Sequence, residues 1–132
     1  MQITTSLTDQ LASYLDLSSL ELKLTAQNMA NIDTPGYRTM GIDFGAEMER
    51  SIAAVIAERR REEDSAGNLS LTSKRAAVEK VDGLLERPDG NNVSMDREGM
   101  KMAEAQLQFR AGVELLKHEV STILDAIHAD SK

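Results

Sequence analysis

The sequence predicts a mainly α-helical chain. Long N- and C-terminal helices pair as an antiparallel, coiled-coil-like unit, joined through a short helix and a small irregular or β-hairpin middle region. Three observations predict this. Apolar residues recur at helical spacing over both ends of the chain. Aromatic residues are only 3% of the chain while 41% of it is apolar, so a core must be built from Leu, Ile, Val, Met and Ala, which suits helix seams better than a β-sandwich. The chain's 2 prolines fall in two turn-forming stretches, Thr34-Pro35-Gly36-Tyr37 and Arg87-Pro88-Asp89-Gly90-Asn91, which set off the irregular parts. At 132 residues the chain reads as one structural domain in three parts: helix and turn over 1–44, a variable middle over 45–93, and a heptad helix over 94–132.

The first helix is expected from Thr8 to Asn31, with Thr8 as N-cap and Asp9 in the first turn, where the helix dipole favours an anion. Leu11, Leu15, Ser18, Leu22, Thr25 and Met29 form one seam. Leu17, Leu20 and Leu24 form a second strip well away from it. A short chain has one return helix to cover the first seam and little left for the second strip, so that strip reads as a subunit interface; the alternative is another helix of the same chain lying on it. The helix stops at Asn31, a residue suited to a helix C-terminus. Pro35 cannot continue a helix and pushes Thr34 into an extended conformation. Thr34 to Tyr37 fits a type II turn, with Pro at the second position and Gly at the third, where positive φ is required.

Asp43 is expected to cap a second helix, from about Gly45 to Glu63, with Met48, Ile52, Val55 and Ile56 on one face. Its end, Arg59-Arg60-Arg61-Glu62-Glu63-Asp64, balances basic against acidic residues and reads as a solvated helix end. Ser65 to Asn68 is a break, and Leu69 to Thr72 alternates like a short strand. Lys74 to Lys80 is left as helix or irregular. Val81 to Glu86 reads as extended, and Asn92-Val93-Ser94 as the return strand of a small hairpin. This middle is expected to be the most mobile part.

The last helix is expected from Met95 or Asp96 to about His128, capped by Ser94 or Asp96, with Asp96 and Glu98 in its first turn. Met95, Met102, Phe109, Val113, Leu116, Val120, Ile123 and Ile127 keep a seven-residue repeat, the mark of coiled-coil packing. Gly112 costs about 1 kcal/mol of helix propensity relative to Ala and would let a neighbour approach closely. The expected contact is Leu11, Leu15, Leu22 and Met29 against Phe109, Val113, Leu116 and Val120, within or between subunits.

Several function classes find no support. A net charge of −7 opposes a nucleic-acid surface. With no cysteine there is no disulfide and no thiolate metal site. No apolar run approaches the roughly 20 residues of a membrane span, and the N-terminus lacks the basic and apolar regions of a cleaved signal peptide. His118 and His128 lie ten residues apart, point in different directions on a helix, and read as surface residues. Asp89-Gly90-Asn91 lacks the acidic series of a calcium loop, and no glycine-rich phosphate loop occurs. The methionines fall mostly on helix seams, where core filling accounts for them. The reading is therefore non-enzymatic, with no cofactor and no metal.

The string A-x-N-x-A-N-x-x-T-P-G-Y, here Ala26, Asn28, Ala30, Asn31, Thr34, Pro35, Gly36 and Tyr37, resembles the N-terminal signature of bacterial flagellar rod and hook proteins. The stretch Asp89 to Ala111 (D-G-N-N-V-S-M-D-R-E-G-M-K-M-A-E-A-Q-L-Q-F-R-A) resembles the corresponding part of the proximal rod members of that family, as does Gly41-Ile42-Asp43-Phe44. Ala105 and Phe109 stand where Asn and Tyr would be expected. The resemblance covers both terminal helices and their flanks, somewhat over half the chain. It implies a structural subunit of the flagellar basal-body rod, the drive shaft that crosses the periplasm and carries motor torque. It implies export through the flagellar type III apparatus without a cleaved signal. It also implies homo- and hetero-assembly with other rod subunits and with the basal-body and export-gate junction. A sister rod protein, or a small helical secretion adaptor or chaperone, is the alternative.

Overall fold

A computed structural model describes residues 5–64 and 76–129, with the side chains of 61–64 excepted. The elements are α1 (Ser6–Ala30), β1 (Met40–Gly41), α2 (Phe44–Asp64), β2 (Glu79–Lys80) and α3 (Met95–Ala129). The expected break at Ser65 to Asn68 and the strand expected at Leu69 to Thr72 lie outside the described residues.

The N-cap of α1 is Thr5 rather than Thr8. Thr5 is extended and its hydroxyl oxygen accepts from the Thr8 backbone N–H, while the same hydroxyl donates to Glu119 Oε1 at 2.8 Å. A tertiary partner on α3 thus selects the earlier of two threonines competent to cap. At the other end Asn31 occupies the C-cap position, and its side-chain amide donates to the Gln27 carbonyl at 2.8 Å.

Helices α1 and α3 pack side by side and antiparallel. Thr5 meets Glu119, Leu15 lies against Gly112, and Asn28 meets Glu98. Small residues set their separation. Ala105 is fully buried, and a Cβ added at Gly112 would fall 2.8 Å from Leu15 Cδ2 and 3.0 Å from Tyr14 Cδ1. The helix propensity given up at Gly112 is therefore returned as close approach.

The expected seams meet in part. Leu11 is buried, and Leu15, Leu22, Met29, Phe109, Val113 and Leu116 are half-buried, whereas Val120 is exposed. Lengths explain the difference. By the 1.5 Å rise per residue, α1 is about 38 Å long and α3 about 52 Å. Since Thr5 stands level with Glu119, the seam from Val120 to Ile127 runs past the described end of α1.

Helix α2 packs on α1 and not on α3. Asp43 caps it, its Oδ1 accepting from the Ala46 N–H at 3.0 Å. The Phe44 ring meets Tyr14 edge to face, with centroids 5.4 Å apart, and Arg59 pairs with Asp9 at 3.1 Å. α2 and β1 pack on α1 in addition to α3, and the second leucine strip is not open. Leu17 and Leu24 are buried within the chain and Leu20 is half-buried, which corrects the expectation of a free subunit interface there. The small sheet also differs from the expected hairpin. Met40 pairs with Lys80 and Gly41 with Glu79, antiparallel, and the Val81 N–H continues the ladder to the Thr39 carbonyl at 2.9 Å.

Candidate functional site

Asn28, Asn31 and the Thr34–Tyr37 turn of the signature fold with the Arg87–Glu98 stretch into one junction, an elbow at which the chain leaves α1 and re-enters α3. Its centre is Asn28, on the last full turn of α1 and 1% exposed. Its Nδ2 donates to the Met40 carbonyl at 2.8 Å and to Glu98 Oε2 at 2.9 Å. Its Oδ1 accepts from the Met40 N–H at 3.0 Å and from the Tyr37 hydroxyl at 3.1 Å. An amide has two N–H donors and two acceptor lone pairs, so every hydrogen-bonding capacity of Asn28 is used.

Glu98, in the first turn of α3, is 0% exposed. Its other oxygen accepts from the Arg97 guanidinium at 3.2 Å, and Arg97 also donates to Thr39 Oγ1 at 3.3 Å. A buried carboxylate is tolerated only when paired and hydrogen-bonded, and Asn28 and Arg97 supply both conditions. Burial lifts the Tyr37 hydroxyl above its ordinary pKa, and the Glu98 charge adds to the shift.

Around this centre two turns pack back to back. Gly36 has φ of 72° and the Tyr37 N–H bonds the Thr34 carbonyl at 3.2 Å, in keeping with the type II turn read from Pro35-Gly36. The Gly36 N–H donates to the Asp89 carbonyl at 2.8 Å. A Cβ on Gly90, itself at φ 81°, would come 3.4 Å from Gly36 Cα.

Asn91, fully buried, terminates α1 from a distance. Its Nδ2 donates to the carbonyls of Asn31, Ile32 and Thr34 at 2.9, 3.1 and 2.9 Å, and its Oδ1 accepts from the Val93 N–H at 2.8 Å. The Arg87 guanidinium also donates to the Ile32 carbonyl. The carbonyls of the C-cap and of the loop just beyond α1 thus receive donors from some 60 residues along the chain. Asn92 completes the junction, its Oδ1 accepting from the Thr39 N–H at 2.7 Å while Thr39 Oγ1 donates to the Asn92 carbonyl at 3.3 Å. At the rim Arg38 pairs with Glu86 at 2.7 Å with both side chains partly solvated, a pair that contributes little.

The signature therefore divides by environment. Asn28 is buried, Asn31 and Tyr37 are half-buried, and Ala26, Ala30, Thr34, Pro35 and Gly36 are exposed. The polar groups of the elbow are engaged with one another, which suits holding an angle rather than transforming a substrate. Among the described residues no group of three or more His, Cys, Asp or Glu is placed to hold a metal, and no helix is long and apolar enough to cross a membrane. His118 and His128 are exposed on α3. Sequence reasoning missed Thr39, Asn92, Arg97 and Glu98 as members of the elbow and took Asn91 only as a turn former. The available signal was the density of side-chain amides, Asn91 and Asn92, directly after a Pro-Asp-Gly turn.

No protein-family model matches the chain. Curated relatives do. The flagellar basal body rod protein FlgB of Salmonella typhimurium is 31% identical over 124 residues, covering 86% of each chain. That of Escherichia coli is 28% identical over 126 residues, covering 87% of this chain and 88% of its own. That of Cereibacter sphaeroides is 31% identical over 130 residues, covering 96% of this chain and 99% of its own. With near full-length coverage at this identity, and with Asn28, Asn31, Thr34, Gly36 and Tyr37 of the signature folded into a single junction, the chain belongs to the FlgB family of flagellar basal body rod proteins.

Proposed function

We propose that this rod-family subunit works by helix packing, with the α1–α3 pair as its building block and the elbow as the joint that fixes the angle at which the chain leaves the pair. The observation that carries the reading is Asn28. A signature amide is spent entirely on holding α1, the turn and α3 together. Torque passing through a shaft loads its joints, and a junction of charge-assisted and fully satisfied hydrogen bonds resists shear better than apolar contact, which is non-directional. The subunit reaches the periplasmic rod through the flagellar type III apparatus and assembles there with copies of itself and with other rod components, at the end of the rod nearest the export gate.

Deletion of the gene in the parent bacterium tests this. Non-motile cells whose isolated basal bodies lack rod and hook, rescued by the intact gene but not by one missing Thr8 to Asn31, are the expected result. Basal bodies with normal rods in the deletion strain would overturn it.

A further inference from the structure

Among the described residues, an apolar stripe lies open on a flank of α3 that α1 does not cover. Met100, Leu107 and Leu115 are 75%, 70% and 57% exposed, with Ala111 between them, also exposed. Steps of seven and eight residues keep them on one stripe of a helix. Exposed apolar side chains aligned on one stripe in this way mark an interaction surface.

The open face of α1 has the opposite relief. Ala12, Ser19, Ala26 and Ala30 are exposed there, interrupted by Asp16 and Lys23. At about 100° per residue, the α1 stripe and the α3 stripe look out on opposite sides of the helix pair. One side of the pair carries large apolar knobs, the other a shallow strip of small residues.

The two stripes match in register. The contacts Thr5 with Glu119, Leu15 with Gly112 and Asn28 with Glu98 fix which residues stand level when α1 and α3 lie antiparallel. In that same register Met100 falls level with Ala26, Leu107 with Ser19 and Leu115 with Ala12. One pair of charges also corresponds. Glu104 falls level with Lys23. Both are exposed, and neither forms a salt bridge with a described residue. No like charges oppose one another along the strip.

We propose that a second copy of this chain lays the open face of its α1 on the outer face of α3, in the register the two helices keep within one chain. Met100, Leu107 and Leu115 seat on Ala26, Ser19 and Ala12 of the neighbour, flanked by a Glu104–Lys23 pair. The contact is heterologous, since each copy offers a different face to each neighbour, so it propagates into a ring or an open helix instead of stopping at a dimer. The proposal rests on the reading of the chain as a self-assembling rod subunit and specifies one interface of it.

Because the chain has no cysteine, single thiols test the register directly. Purified Ser19→Cys and Leu107→Cys chains, mixed under mild oxidation, are expected to give a disulfide-linked dimer well above the yield of either chain alone. The chain carrying both thiols is expected to give a ladder of multimers. A disulfide needs Cα atoms within about 7 Å, and the two stripes face opposite ways within one chain, so the ladder must arise between copies. Charge reversal gives a second reading. By sedimentation velocity Glu104→Lys and Lys23→Glu each weaken self-association about tenfold, and the chain carrying both recovers it. Absence of a mixed dimer, Leu107→Cys chains linking mainly to themselves, or no recovery in the double charge reversal would each overturn the interface. If the deletion strain still lacks rods in that event, the rod reading stands and only this register falls.

Discussion

Replacing Asn28 with alanine removes the centre of the elbow. The substitution deletes four hydrogen bonds made by a side chain that is 1% exposed. Three of the partners are neutral, at about 1 kcal/mol each, and the fourth is the Glu98 carboxylate, at about 2 kcal/mol. Water entering the vacated space restores part of this, leaving a loss of about 3–5 kcal/mol. Against a usual total of about 5–15 kcal/mol for a domain, that lowers the thermal midpoint by roughly 10–20 °C. Urea and thermal unfolding followed by circular dichroism at 222 nm measure it. Asn28→Asp separates the chemistry from the shape. It keeps the volume but sets a second carboxylate against Glu98, so one of the pair has its pKa raised in the folded state. The folded state then binds more protons than the unfolded state above the ordinary carboxylate range, and the variant's stability falls as pH rises through that window. A loss below about 1 kcal/mol for Asn28→Ala, or an Asn28→Asp variant no more stable at pH 5 than at pH 7.5 relative to the parent, would refute the account of the elbow.

Other outcomes follow from the packing. Gly112→Ala gains about 1 kcal/mol of helix propensity but crowds Leu15 and Tyr14, at a cost of about 1–3 kcal/mol; a net loss near 1 kcal/mol is expected, and Leu15→Ala in the same chain should relieve it, giving a non-additive cycle by urea denaturation. Leu17→Asp buries a charge within the chain and should cost about 3–5 kcal/mol, whereas Leu107→Asp, on the open face of α3, should change monomer stability by less than about 0.5 kcal/mol; equal effects on the urea midpoint would contradict the burial pattern. Burial raises the pKa of Glu21 against the opposing charge of Lys101, with Glu104 adding to the rise. Its folded-state pKa lies above the unfolded one, so stability falls as pH rises from the ordinary glutamate value through the raised one, and Glu21→Gln should flatten that slope in a pH series of urea midpoints.

The helices were legible because their signals are local and repeat many times. Three or four apolar residues per two turns define α1 and α3 without reference to anything else, and Asp43, Asn31 and the Pro35-Gly36 turn mark boundaries by their own backbone chemistry. What was not legible depends on partners far along the chain. Thr5 displaces Thr8 as cap through Glu119. A sheet with strands of two residues leaves no alternation to read, and its pairing is set by the elbow beside it. The Leu17–Leu24 strip was correctly seen as apolar, but Leu17 and Leu24 are buried within the chain itself; periodicity reports that a face is buried and not by what. Glu98 was the deepest omission. An acidic residue in the first turn of a helix has a sufficient local reason in the helix dipole, and that reason concealed its role as a fully buried acceptor for Asn28.

The backbone of Thr39 and the side chain of Asn92 stand 2.7 Å apart, although more than fifty residues of chain lie between them. The middle segment thus departs and returns at one gateway, and between the two passages α2 lies back along α1. Doubling the length of such a closed excursion adds only about 0.6 kcal/mol of closure entropy, and the register of the two long helices need not change. Changes of length within the excursion that leave α2, β2 and the Arg87–Asn91 turn on their partners are therefore expected to cost little, whether made in evolution or by a grafted domain at the bench, while the helical chassis keeps its dimensions.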